Sequence, residues 1–226
     1  MSDNPPIKLG VLISGTGTNL QAIIDAILRG DLKAEIRIVI SNRPDAQGLE
    51  RARRHGISTS VIEHRKFPSR EDFDRAVLAA LRDRGVELIA LAGFMRLFSL
   101  VMLDAFPARI MNIHNSLLPS FPGIHGPKDA LEYGVKIAGC TVFFVTPGVD
   151  VGPVIVQAAV PVLPDDDEDR LAARILEQEH RIFPHAISLF QQSRLEIRGR
   201  QVIIKGDSSA PNSSPLVNPP VVRFQN

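Results

Sequence analysis

Tryptophan is absent from the chain, Tyr133 is its only tyrosine and Cys140 its only cysteine. With so few flat side chains there is no platform on which nucleic-acid bases would stack. A lone cysteine excludes an intramolecular disulfide and fits a reducing, cytoplasmic setting. Cys140 opens the strand-like run Thr141 to Val145, where a buried thiol is expected rather than a nucleophile. An excess of one charge is missing too. Lys and Arg number 26 and Asp and Glu 25, a net charge of +1, so no global field favours nucleic acid or a membrane surface. No apolar run approaches the ~20 residues of a membrane helix, and the polar N-terminus with Pro5 and Pro6 does not read as a signal peptide. His55, His64, His114, His125, His180 and His185 show neither a His-Glu-x-x-His spacing nor cysteine partners, so no metal site is expected. No Gly-x-Ser-x-Gly elbow occurs, which argues against a serine hydrolase.

What is present is ample core material: 44% of the 226 residues are hydrophobic. That suffices for one domain over residues 1–205, followed by a Ser-, Asn- and Pro-rich tail over 206–226 that is expected to be disordered. Gly10 to Ile13 reads as a buried strand. It breaks into Ser14-Gly15-Thr16-Gly17-Thr18-Asn19, after which Leu20, Ile23, Ile24, Ile27 and Leu28 mark the apolar face of a helix ending at Gly30. A strand, a turn rich in glycine and hydroxyl groups, and a helix start make an anion cradle. A dinucleotide reading is rejected, because Leu20 stands at the third glycine position and the next strand, Glu35 to Ile40, ends in Ser41-Asn42-Arg43 rather than an acid. A single phosphate at Gly17, Thr18 and Asn19 is the better hypothesis.

Further on, a helix near Gly48 to Gly56 and a strand at Thr59 to Ile62 precede a helix capped by Ser69, with Phe73, Ala76, Val77, Ala80 and Leu81 on its apolar face. Arg70 breaks the preference for acids in a first turn, and is either solvated or kept for an anionic ligand. Leu88 to Ala92 is a strand, and the loop Gly93 to Phe98, with Met95, Arg96 and Leu97, suits either core packing or a ligand with a flat ring and a polar edge. Arg109 to His114 is a strand whose Asn112 and His114 project from one face, since residues two apart do so. An amide beside an imidazole suits stabilisation of a developing oxyanion, although Asn-x-His alone is more often a strand-end histidine satisfied by backbone groups. A helix over Pro127 to Tyr133 leads to the strand Thr141 to Val145. The loop Thr146 to Pro153 carries Asp150 between two glycines, and the strand Val154 to Val162 is expected antiparallel to its neighbour. Asp165 to Asp169 read as a solvated cap on a helix running to about Phe190, which Pro184 should kink or break. Arg194 to Lys205 suit a hairpin around Gly199. The alternation defines an α/β, Rossmann-like, mostly parallel twisted sheet with helices on both faces and antiparallel strands in the C-terminal half. The phosphate turn, the Gly93 loop and the Asn112/His114 pair all fall at carboxyl ends of strands, where ligands collect in such sheets.

The run N-I-H-N-S-L-L-P-S-F-P-G from Asn112, with F-V-T-P-G-V-D-V-G-P-V-I from Phe144, resembles the folate-dependent formyltransferases. The stretches from Ile13 to Ala26, Ser41 to Ala52 and Leu91 to Arg96 are similar to the branch that acts on glycinamide ribonucleotide, and the resemblance runs from about Lys8 to Leu195. It implies the formyltransferase fold, and transfer of a formyl group from 10-formyltetrahydrofolate to the amine of glycinamide ribonucleotide in purine synthesis, without a metal. Carried over by position, it implies a catalytic set of Asn112, His114 and Asp150. Gly17, Thr18, Asn19 and Arg70 would hold the phosphate, and Glu179 would contact the same substrate. Met95, Arg96, Leu97, Thr146, Pro147, Gly148 and Val149 would line the folate site. Two positions depart from the family pattern: Asn115 stands where proline is usual, which is expected to loosen the loop, and Phe143 where histidine is common. The rivals are hydrolysis of the formylfolate, which usually goes with a further N-terminal domain, and formylation of methionyl-tRNA, which needs a further C-terminal one. A catalytically silent nucleotide-binding protein is a third. Monomer and homodimer both remain open.

Overall fold

A computed structural model describes residues 4–206, so the expected tail, apart from Gly206, lies outside the described residues. Elements in chain order are β1 (Ile7–Ile13), α1 (Thr18–Leu28), β2 (Ala34–Ser41), α2 (Gln47–Arg54), β3 (Thr59–Val61), α3 (Arg70–Asp83), β4 (Leu88–Leu91), α4 (Leu100–Ala105), β5 (Ile110–His114), α5 (Gly126–Tyr133), β6 (Ile137–Phe144), β7 (Val154–Pro161), α6 (Glu168–Gln191), β8 (Leu195–Arg198) and β9 (Gln201–Ile204). The strands form one nine-stranded sheet in the order β3-β2-β1-β4-β5-β6-β7-β9-β8. From β3 to β5 every pairing is parallel, β6 runs antiparallel to both neighbours, and the β8–β9 hairpin closes the far edge through a short parallel pairing of β9 with β7. The chain reverses direction across the sheet between β1 and β4, and such switch points open a crevice at the carboxyl ends of the strands.

The pleat divides the core. Leu9, Val11 and Ile13 point to one face, against α1, α2, α5 and α6, while Leu12 points to the other, against α3 and α4. A side chain at Gly10 would collide with Leu81 of α3, so glycine lets that helix sit close on the sheet. Ser69 caps α3, accepting from the Asp72 N–H as expected.

Several expectations need correction. Leu28 is 71% exposed, and the buried face of α1 takes Asn19 instead. Pro184 does not break α6, which runs without interruption from Glu168 to Gln191; Pro184 is buried beside Phe183 and Ile187, and packing offsets the lost N–H. Asp167 caps that helix, but Asp166 is not solvated, because both its oxygens accept from Arg174 at 2.6 and 2.7 Å. Cys140 lies inside β6 rather than at its start, fully buried, with its thiol pushed up to about 12 by burial. The short helix α4, six residues long, is an element that the sequence does not announce.

Candidate active site

The site is built where the parallel strands end. Ser14, at the end of β1, is buried and donates from Oγ to Asn42 Oδ1 at 2.6 Å while accepting the Met95 N–H at 2.8 Å. Its own N–H donates to Gly93 O. One hydroxyl thereby joins the ends of β1 and β2 to the loop after β4.

Beside it, the 15–17 turn enters α1 through Gly17, which holds a left-handed φ of 72°. Asn19, in the first turn of α1, is only 7% exposed and donates from Nδ2 to Glu179 Oε2 at 2.7 Å, while its Oδ1 has no partner. Burial pushes the Glu179 carboxyl up, and the Asn19 hydrogen bond and the nearby His114 pull it back.

β5 delivers Asn112 and His114. The Asn112 amide makes no hydrogen bond among the described residues, whereas His114 Nε2 lies 3.0 Å from Phe121 O. A carbonyl only accepts, so Nε2 carries a proton, and Nδ1 is the nitrogen that faces Asp150 Oδ2 at 3.8 Å. One nitrogen of the ring is thus satisfied by backbone, as the commoner reading of Asn-x-His expects, and the other faces an acid. Asp150 sits at φ 52°, in the left-handed region, and its Oδ2 accepts the Gly123 N–H at 2.9 Å. A side chain at Gly152 would strike Phe144 O, so only glycine lets this loop fold back on β6. Asn115 does not stand at an untied loop. Thr141 Oγ1 donates to Ser116 O and accepts the Leu118 N–H, Gln157 donates to Leu118 O, and Ser116 donates to Ser120 O.

Asn112, His114 and Asp150 line a cavity of about 530 Å³ together with Asn19, Glu179 and Arg70, and with Met95, Arg96, Leu97, Thr146, Gly148 and Val149. Gly17, Thr18 and Pro147 do not line it. Phe143, singled out only as a departure, lies opposite Asn112 on β6 and does line the cavity, as do Phe98, Leu103 and Ile124, which the sequence reading missed. The sequence puts Phe98 in the Gly93 loop without singling it out for a ligand. Leu103 and Ile124 carry no signal beyond being apolar. Among the described residues no group of three or more His, Cys, Asp or Glu side chains could hold a metal ion.

An amide and an imidazole at the end of a parallel strand, with a carboxylate from the loop after β6, line a partly apolar cavity on a Rossmann-like sheet, an arrangement suited to group transfer. The formyl transferase family model matches residues 7–187, and the chain belongs to that family. It is 45% identical over 205 residues to the phosphoribosylglycinamide formyltransferase of Escherichia coli (strain K12), covering 91% of this chain and 97% of that one. The trifunctional purine biosynthetic protein adenosine-3 of Drosophila melanogaster is 51% identical over 184 residues; the match covers 80% of this chain but only 14% of that much longer protein. The crystal structure of glycinamide ribonucleotide transformylase 1 from Symbiobacterium toebii superposes with a TM-score of 0.87 at 56% identity, covering 88% of this chain and 94% of that one.

Proposed function

We propose that the protein transfers the formyl group of 10-formyltetrahydrofolate to the amine of glycinamide ribonucleotide, giving the N-formyl ribonucleotide and tetrahydrofolate. The observation that carries this reading is His114 Nδ1 facing Asp150 across 3.8 Å at the wall of one cavity that Asn112 also lines. The names borne by relatives matched over nearly their whole length support the ribonucleotide as acceptor and a formyl group as what is transferred.

A neutral α-amine, with an ordinary pKa of about 7.7 to 8.0, is a sufficient nucleophile, so no covalent enzyme intermediate is needed. It attacks the formyl carbon, a C–N bond forms, and the carbonyl oxygen takes up negative charge. The Asn112 amide and the imidazolium of His114 meet that charge, an interaction that typically supplies the largest catalytic term. Because Phe121 O holds the Nε2 proton, Nδ1 is the nitrogen that serves the reaction. Asp150 stabilises the imidazolium and takes the amine proton. The bond from the formyl carbon to the folate nitrogen then breaks, and that nitrogen receives the proton. Gly17, Thr18, Asn19 and Arg70 hold the phosphate, Glu179 contacts the same ribonucleotide, and the walls at 95–97 and 146–149 take the folate. Cys140, buried and reduced, suits action in the cytoplasm.

The test is a spectrophotometric assay of folate product from 10-formyltetrahydrofolate, with and without glycinamide ribonucleotide. Turnover that requires the ribonucleotide is expected. Equal turnover without it would make water the acceptor, and no turnover in either mixture would leave a binding protein.

A further inference from the structure

We propose that Gly48 and Arg51 of α2 are positioning residues for the ribonucleotide's phosphate, acting as a clamp on the 15–17 turn; this rests on the ribonucleotide reading above. Every residue of that turn is held by α2. The Gly48 N–H donates to Gly15 O at 3.1 Å, and Arg51 Nε donates to Thr16 O at 2.8 Å. At the third residue the two backbones touch, since a Cβ built on Gly17 would lie 2.6 Å from the Gly48 Cα. Conversely, a Cβ on Gly48 would lie 2.6 Å from Ile13 Cδ1 and 3.0 Å from the Gly17 Cα.

The clamp sets the direction of the turn's donors. In a trans peptide the C=O of one residue and the N–H of the next point opposite ways. With the carbonyls of Gly15 and Thr16 drawn toward α2, the N–H groups of Thr16 and Gly17 point away from it. Those two N–H groups, and those of Thr18 and Asn19 opening α1, donate to no group among the described residues. They form a row of donors at the positive end of an 11-residue helix. A second observation points to a ligand at the same place. Asn19, buried and lining the cavity, keeps an unpartnered Oδ1 that suits a hydroxyl or amine of the same molecule. Gly48 makes no contact with the cavity, so its effect is exerted through the turn alone.

The experiment measures kcat and both Michaelis constants for the wild type, Gly48→Ala and Arg51→Met, with thermal unfolding alongside. Gly48→Ala changes no charge, so any effect on anion binding is geometric. The KM for glycinamide ribonucleotide is expected to rise at least about tenfold in each variant, since small misplacements of positioned groups are costly, with the folate KM and kcat within about twofold of wild type. Should Gly48→Ala fail to fold, Arg51→Lys, which keeps the charge but not the Nε–H that reaches Thr16 O, is measured in its place, and the same rise is expected. A ribonucleotide KM within about twofold of wild type in the folded variants overturns the clamp, as does an equal rise in both KM values. A wild type that turns over without the ribonucleotide overturns the functional reading and the clamp together, and so is told apart from failure of the clamp alone.

Discussion

Asn19 and Glu179 stand 160 residues apart in the chain and meet in a buried hydrogen bond of 2.7 Å. The contact joins the first turn of α1 to the middle of α6, and both residues line the cavity that holds His114. Glu179→Ala would strand the Asn19 amide with neither end paired, at a cost of about 1 to 3 kcal/mol, whereas Glu179→Gln keeps an oxygen for Asn19 Nδ2 and should retain most of the stability. Denaturant unfolding of the two variants measures this, and equal losses in both would mean that the charge, not the hydrogen bond, is what matters.

Asp150 faces His114 Nδ1, and Asp150→Asn keeps an acceptor for the Gly123 N–H while removing the charge. Turnover should fall at least about 100-fold with both Michaelis constants nearly intact, as for loss of a group acting in the transition state. Near-normal kcat would remove Asp150 from the mechanism.

Asp74 is fully buried on α3, and its Oδ2 accepts both the N–H and the hydroxyl of Ser99, each at 2.6 Å. Burial pushes its carboxyl above the ordinary 3.8, with the Ser99 hydrogen bonds opposing. The folded protein then holds this proton at a pH where the unfolded chain has released it, so stability from this group falls as pH rises above that ordinary value. Asp74→Asn lacks the penalty. The melting temperature of the variant minus that of the wild type should therefore become more positive from about pH 4 to about pH 7. A difference that stays constant or falls would refute the assignment.

Cys140 is fully buried, with its thiol pushed up to about 12 by burial. A disulfide reagent should leave the native protein unmodified at neutral pH and titrate the thiol only after unfolding. Rapid reaction of the native thiol would show that β6 opens.

Much of this arrangement is legible in the chain. Buried runs and the spacing of apolar residues locate most of the long strands and helices, because burial imposes a period of two or 3.6 on any element with one wet face, although β6 begins at Ile137, four residues before the run Thr141 to Val145. Asn112 and His114 are readable as a pair because the strand's own period puts them on one face. Six-residue α4 is not readable: it has too few turns to show a period, and Leu100 stays exposed. Neither is the fate of Pro184, since the energy that carries α6 through it lies in packing against the sheet.

The sequence by itself determined the alternating α/β pattern, the strand ends at which polar residues collect, and the resemblance that points to formyl transfer. Only the tertiary structure decided which of those residues meet. Asp150 reaches His114, Glu179 reaches Asn19, Asp74 reaches Ser99 and Gly48 reaches Gly17. Each pairing joins elements separate in the chain, and its geometry follows from strand order and from how closely helices seat on the sheet. Local propensity carries no information about either, because both are set by the packing of the whole core.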